Sequence, residues 1–277
     1  MRQGKGVLSL ENIRYVSKGR NYSHIIDDMT WSYSRITAYE DCPYRFYLKY
    51  IKKIKGVRHF FSDYGSFMHL IIQKFLTGEL KKEELVGYYL INFRRNVVGK
   101  APSQSIFQNY FQQGLEYLKS IQMPDGEIID VEKEVSFDLN GKDFIGYIDV
   151  VSRSDGIYII DHKSRALNPR SNRKKPTKTD RELDKYLRQL YIYSIPIENE
   201  FHEYPKQLCF NCFRTQANIV ESFDKDAFEN TKKWALDVIE TISQEESWKP
   251  NIEWFRCRHL CDMCKECEYY QMFGENK

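Results

Sequence analysis

The chain has no apolar run approaching the roughly 18 residues that a membrane-spanning helix requires, so no transmembrane helix is predicted. Its opening residues, Met-Arg-Gln-Gly-Lys-Gly, lack the apolar stretch of a secretion signal, and an intracellular, cytoplasmic location is the expectation. Cysteine is scarce outside one stretch: of seven, four lie between Cys257 and Cys267. That crowding, in a compartment expected to be reducing, argues against a disulfide framework and for a metal site. Net charge is low as well, at +3, too small to indicate a nucleic-acid partner by itself. No internal repeat and no oligomerisation motif stands out, and the oligomeric state stays unassigned.

What is present describes a folded protein. Hydrophobic residues make up 42% of the 277 and charged residues 29%, with 20 Tyr and 17 Phe, a composition far from that of a disordered chain. The length suits one large domain or two small ones, and one domain with helical additions is the expectation.

Residues 1–30 lack clear periodicity and read as an arm. Ser34 is placed to cap a helix carrying Ile36, Tyr39, Tyr44, Phe46 and Tyr47. Amphipathic helices are predicted over 67–76, 83–98 and 105–121. Near-alternation over 128–139 and β-rich runs over 144–151 and 157–162 predict a three-stranded antiparallel meander. A polar loop over 167–178 precedes Thr179-Asp180-Arg181-Glu182, which has the form of a capping box opening a helix that Pro196 helps to stop. A strand over 207–216, a helix over 224–243 and an irregular tail complete the prediction.

With Val151 facing Ile157 across the turn, Asp149 would lie diagonal to Asp161, both carboxylates on one face. Lys163, two residues beyond Asp161, shares that face. Two hard carboxylate oxygens suit Mg²⁺ or Mn²⁺, and a lysine beside them can orient a water or stabilise phosphoryl charge. An isolated Asp-x-Lys is weak evidence, because charges ordinarily face water. Glu132 and Glu134 are predicted to project from the face opposite Val131, Val135 and Phe137, and periodicity does not choose between them. His162 is predicted to point to the other face, without a catalytic role.

The sequence Gly146-Tyr147-Ile148-Asp149, followed after a hairpin by Ile159-Ile160-Asp161-His162-Lys163, resembles the core of PD-(D/E)XK nucleases. Within them it is similar to the RecB-like exonuclease branch, which includes CRISPR-associated adaptation nucleases and AddB-type nuclease domains of bacterial end-processing helicases. The resemblance extends to Ser32-Tyr33-Ser34-Arg35-Ile36, to Cys42-Pro43-Tyr44-Arg45-Phe46, to residues 65–69, to the Gln189-x-x-x-Tyr193 pair and to the terminal cysteines.

It implies an α/β fold with a mixed central sheet flanked by helices. An arm over 1–30 precedes a single nuclease domain over 31–277, divided into a helical part (31–125), a catalytic core (126–223) and a helix with a cysteine-rich tail (224–277). It further implies His69 beside Asp149 and Asp161 at the metal, Lys163, Gln189 and Tyr193 lining the site, and an acidic residue on the preceding strand.

Cys257-x₃-Cys261-x₂-Cys264-x₂-Cys267 concentrates soft thiolates and suits zinc or iron-sulfur. In the resembled nucleases an early cysteine and three late ones hold a four-iron cluster, which implies a 4Fe-4S cluster including Cys42. The usual tail there is Cys-x₂-Cys-x₅-Cys, which this tail does not reproduce from Cys264, where Tyr270 stands at the final position. Five cysteines therefore compete for four places, and a zinc site on the four tail cysteines is the alternative. Cys209-x-x-Cys212 sits in an apparent strand and reads as packing.

Between Lys163 and Arg188 stand ten basic and three acidic residues, a stretch suited to a phosphate backbone or to plain solvation. The expectation is a Mg²⁺- or Mn²⁺-dependent DNA exonuclease acting in recombination or repair, with DNA and helicase or recombination proteins as partners. A noncatalytic DNA-binding scaffold and a zinc-dependent regulatory protein are the alternatives.

Overall fold

A computed structural model describes residues 22–270. Most of the predicted arm over 1–30 lies outside the described residues, and α1 (Ser23–Asp27) falls within the part of it that follows Tyr22. Helix α2 (Tyr33–Asp41) is capped by Ser32, whose side chain accepts the Arg35 N–H, and not by the predicted Ser34. Extended backbone at Cys42 interrupts the helix, and α3 (Pro43–Phe46) restarts it with proline at its first position, where a missing N–H costs nothing. A π-turn over Tyr47–Ile51 follows.

Helices α4 (Phe60–Leu76), α5 (Lys82–Asn96) and α6 (Gln104–Ser120) then pack together. Helix α4 begins seven residues before the predicted start at 67, because His59 and Ser62 cap it reciprocally. Among the described residues no helix is long and apolar enough to cross a membrane.

Strands β1 (Glu127–Leu139), β2 (Lys142–Arg153) and β3 (Ile157–Lys163) form the expected antiparallel meander. Helix α7 (Lys178–Phe201) crosses over to β4 (Gln207–Cys212), parallel to β3, and β5 (Ala217–Ser222) closes the mixed sheet in the order β1-β2-β3-β4-β5. The predicted strand over 207–216 is thus the first arm of a hairpin. Cys209 and Cys212 lie in β4, with Cys212 buried in the core.

Two expectations about α7 fail. Thr177, not Thr179, is its cap, exchanging hydrogen bonds with Asp180. Nor does Pro196 end the helix, which continues to a left-handed His202. Burial of Ile195, Pro196 and Ile197 against the core outweighs the roughly 3 kcal/mol that an interior proline costs. Helix α8 (Lys225–Ser243), capped by Asp224, and a short α9 (Trp254–His259) complete the chain.

The sheet separates two cores. On one face, α2, α3, α7 and α8 enclose Phe46, Leu190, Phe210 and Trp248; on the other, α4, α5 and α6 enclose Tyr64, Phe67, Tyr89 and Phe213. Trp31 joins the sheet by bridging the free edge of β2, donating its N–H to the Asp143 carbonyl at 2.6 Å and accepting that of Ile145.

One irregularity positions the site. Ile128 and Val131 pack into the second core, whereas Val135, Phe137 and Leu139 pack into the first. On β2, Phe144 and Ile148 join the first core and Val150 the second. The pleat therefore changes phase on both strands between the pairs Val131–Val150 and Lys133–Ile148, where Glu132 faces Asp149. Glu132 takes a left-handed φ of 53° there, a conformation costly for a side chain with Cβ. The predicted common face for Val131, Val135 and Phe137 is thereby overturned.

Candidate active site

The β2–β3 register sets Val151 beside Ile159 and Val150 beside Ile160, two residues away from the predicted pairing. Extended by one step, it brings Asp149 directly opposite Asp161. Both are nearly buried, and the Asp149 carboxylate accepts the His162 N–H at 2.6 Å.

His69 reaches this point from α4. Its Nε2 lies 2.9 Å from the His162 carbonyl, an arrangement in which the ring donates there and leaves Nδ1 as the free ligand atom. Nδ1 stands 3.5 Å from Asp149 and 3.9 Å from Glu132. His69, Glu132 and Asp149 each offer a ligand atom within 4.8 Å of the others. Glu134, by contrast, is exposed on β1 and faces Tyr147. The left-handed turn of the backbone at Glu132 separates two glutamates that the sequence could not tell apart.

Asp161 makes a second, linked arrangement. Gln189 Nε2 donates to its Oδ1 at 2.8 Å, Lys163 Nζ donates to Gln189 Oε1 at 2.8 Å, and the same ammonium lies 2.7 Å from Asp161 Oδ2. That buried Oδ2 nonetheless accepts no well-aligned hydrogen bond from a described residue. One turn along α7, Tyr193 packs its ring against β2 at Gly146, where a Cβ would come within 2.4 Å of Tyr193 Cε1. Glycine is required at Gly146 by that approach.

The electrostatics divide the two carboxylates. Burial would raise the Asp149 carboxyl, but the hydrogen bond and charge of His69 outweigh it and hold it below the ordinary range. Burial raises Asp161, Lys163 opposes, and the neighbouring Asp149 charge pushes it up again. Burial likewise disfavours a charged His69, yet hydrogen bonds to Asp149 and Glu132 push its pKa up to about 10. Asp149 and Glu132 thus favour positive charge at the place a cation would take. Hard carboxylate oxygens and one imidazole nitrogen fit a divalent ion. His162, as expected, turns to the other face, where Asn211 lies 3.1 Å from Nδ1 and burial lowers its pKa to about 4.

The cysteines gather at a second place. Cys42, Cys257, Cys261, Cys264 and Cys267 all line one cavity of about 360 Å³ between α3 and the tail. The tail is fastened there by Arg45 and Lys49, which hold Asp262 at 2.7 and 2.6 Å, and by Tyr44, whose hydroxyl donates to Glu268 at 2.9 Å. Burial raises the thiols of Cys257, Cys261 and Cys267, and Cys42 adds to each. Cys264 is also raised by burial, but the neighbouring charges acting on it are those of Lys265 and Asp262. Among the described residues no three thiols lie mutually within 4.8 Å.

All five candidate cysteines of the sequence meet at one place, with Cys42 beside the tail. The basic stretch after Lys163 includes Arg165, whose guanidinium lies over Tyr186, and Arg170, paired with Asp184 and Glu221. Part of its charge is thus neutralised within the protein.

Comparison with known proteins agrees with this architecture. Over 94 residues the chain is 31% identical to an ATP-dependent helicase/deoxyribonuclease component of Clostridium perfringens, equally in strains SM101, ATCC 13124 and 13. The match spans 27% of this chain and only 8% of that much longer protein. A crystal structure of a candidate exonuclease from Eubacterium rectale superposes with a TM-score of 0.51 over 95% of this chain and 94% of that one, at 13% identity, which establishes a shared fold. The profile of the PD-(D/E)XK nuclease superfamily matches residues 30–271, nearly the whole described chain, and the protein belongs to that superfamily.

Proposed function

We propose that the protein is a divalent-metal-dependent DNA exonuclease that hydrolyses phosphodiester bonds at DNA ends or in single strands. The observation that carries this reading is the convergence of His69, Glu132 and Asp149 within 4.8 Å, beside an Asp161–Lys163–Gln189 ring. Mg²⁺ or Mn²⁺ supplies Lewis acidity toward a phosphoryl oxygen and makes a water more acidic. His69, Glu132 and Asp149 would hold the ion, with Asp161 beside them as a further carboxylate. Lys163 orients the attacking water or neutralises charge developing on the phosphoryl group. Gln189 fixes the Lys163 ammonium, and Tyr193 seats α7 against β2.

In this reading the domain extends from residue 31 to the tail and carries a 4Fe-4S cluster on Cys42, Cys257, Cys261 and Cys267. The place of Cys42 beside the tail cysteines, as in the iron-sulfur nucleases the sequence resembles, supports a cluster over zinc. Similarity to part of a helicase/deoxyribonuclease supports a helicase or recombination protein as partner.

The test is cleavage of end-labelled single- and double-stranded DNA by anaerobically purified wild type and Lys163→Ala, with Mn²⁺, Mg²⁺ or EDTA. Metal-dependent cleavage should fall by on the order of 10²- to 10³-fold in the variant. A ladder shortening from the ends supports exonuclease action; no cleavage by intact, cluster-loaded wild type sinks the reading in favour of a noncatalytic DNA-binding scaffold.

A further inference from the structure

Helix α9 has six residues and none of them is buried. A helix this short has little stability of its own. Yet it presents Trp254 and Phe255, exposed by 37% and 45%, between the exposed Ile252 and Leu260. Exposed large apolar side chains this close in sequence mark a candidate contact surface.

The patch is not isolated. Phe255 lies 6.2 Å from Phe61 at the start of α4, and Phe61 lies 5.2 Å from Tyr110 of α6, both pairs of rings inclined to each other and each ring partly accessible. The Arg214 guanidinium sits 3.6 Å above the Tyr110 ring and donates to the Ser164 carbonyl at 3.2 Å. Ser164 follows Lys163 directly, so the Phe255–Phe61–Tyr110 row ends at Arg214 beside the candidate active site. Cations flank the row: Arg214 lies over Tyr110 at one end, and at the other Arg258 lies 5.6 Å over the Trp254 ring.

We infer that Tyr110, Phe61 and Phe255 form a stacking track that guides a single nucleic-acid strand to the carboxylate site, its phosphates met by Arg214 and Arg258. The inference rests on the nuclease reading for the identity of the site it leads to. Bases of an unpaired strand offer flat faces to such rings regardless of sequence, whereas those of a duplex are stacked inside it. Arginines at the two ends of the row suit the phosphates of a strand laid along it.

The experiment compares wild type with Phe255→Ala, Phe255→Tyr and Phe255→Leu, all with their metal cluster retained. Dissociation constants for a labelled single-stranded oligonucleotide and for a blunt duplex are measured in EDTA at one fixed salt concentration. Phe255→Ala should weaken single-strand binding by roughly 5- to 100-fold, the range expected for one lost base–ring stack. Duplex binding should change much less, and Phe255→Tyr should retain affinity where Phe255→Leu does not.

Unchanged single-strand affinity in Phe255→Ala overturns the inference and assigns the patch to a protein surface. Equal rescue by Leu and Tyr overturns it in favour of simple apolar packing. Hydrolysis of bis(p-nitrophenyl) phosphate by wild type, which needs no track, separates the two readings: its absence counts against the nuclease chemistry and leaves the strand-binding result standing.

Discussion

The carboxylate site and the cysteine cavity are both places where residues distant in sequence converge, but they are built in opposite ways. At the first, β2, β3, α4 and α7 are each packed into a core, and His69, Glu132 and Asp149 already stand within 4.8 Å of one another. At the second, a tail with few buried residues is tied to α3 by Asp262, Glu268 and the buried Met263 and Tyr269. The fold holds the first site together. The second, in the proposed reading, holds the fold's ends together, since a metal bound by ligands from residues 42 and 257–267 stabilises the folded chain by its own binding energy.

The sharpest way to break this comparison is to remove a thiol. Cys267→Ser should abolish bound metal and leave residues 245–270 open to limited proteolysis, because structural metal sites contribute on the order of 10 kcal/mol. Cys264→Ser should retain the metal. Iron and zinc analysis together with mapping of the cleavage sites checks both, and equal loss in the two variants would refute the assignment of Cys264 as the thiol outside the set.

Next in size is Gly146→Ala. The added methyl collides with Tyr193, and overpacking of this kind costs roughly 1–3 kcal/mol. Denaturant unfolding measures that loss, and cleavage kinetics should show kcat falling with it as α7 and Gln189 shift. Unaltered stability would mean that the ring yields and that the close approach is incidental.

Glu132→Gln against Glu134→Gln sharpens the carboxylate site itself. The first should weaken Mn²⁺ binding roughly 10- to 100-fold, comparable to losses on altering groups around a bound metal, and the second should leave it within about twofold. Calorimetric titration of Mn²⁺ distinguishes the two.

The smallest expected effect is on pH dependence. Hydrogen bonds to Asp149 and Glu132 overcome the burial of His69 and raise its folded pKa to about 10, so in the metal-free protein their stabilisation is complete below the ordinary value of 6.5 and is lost as pH rises through about 10. A cation at Nδ1 displaces that proton. Mn²⁺ affinity should therefore rise with pH across this window, with about one proton released per ion, measurable by calorimetry in buffers of different ionisation enthalpy. A flat affinity over that range would place His69 outside the ligand set.

Much of the site was legible because strand alternation and helical spacing are local. Asp161 and Lys163 share a face by a two-residue step, and Gln189 and Tyr193 by a four-residue step, whatever the rest of the chain does. His162 pointing away follows from the same alternation. Helix starts were less legible, since Ser32 and Ser34, or Thr177 and Thr179, are equally good caps on chemistry alone, and packing selects between them. Pro196 illustrates the same point, because its local cost is outweighed only by the core around it.

Residue type and short-range period were enough for the helices, the meander, the carboxylate–lysine constellation and the clustering of cysteines, while the mixed sheet was expected from the resemblance to PD-(D/E)XK nucleases. Only packing between elements set the β2–β3 register, brought Glu132 and not Glu134 beside His69 and Asp149, and gathered Cys42 with the tail cysteines around one cavity. It also placed Phe61, Tyr110 and Phe255, which are far apart in the chain, in one row. The physical reason is common to these cases: a pleat that changes phase at a left-handed residue, or a ring that meets another across 194 positions, is set by packing between elements, and no local period encodes it.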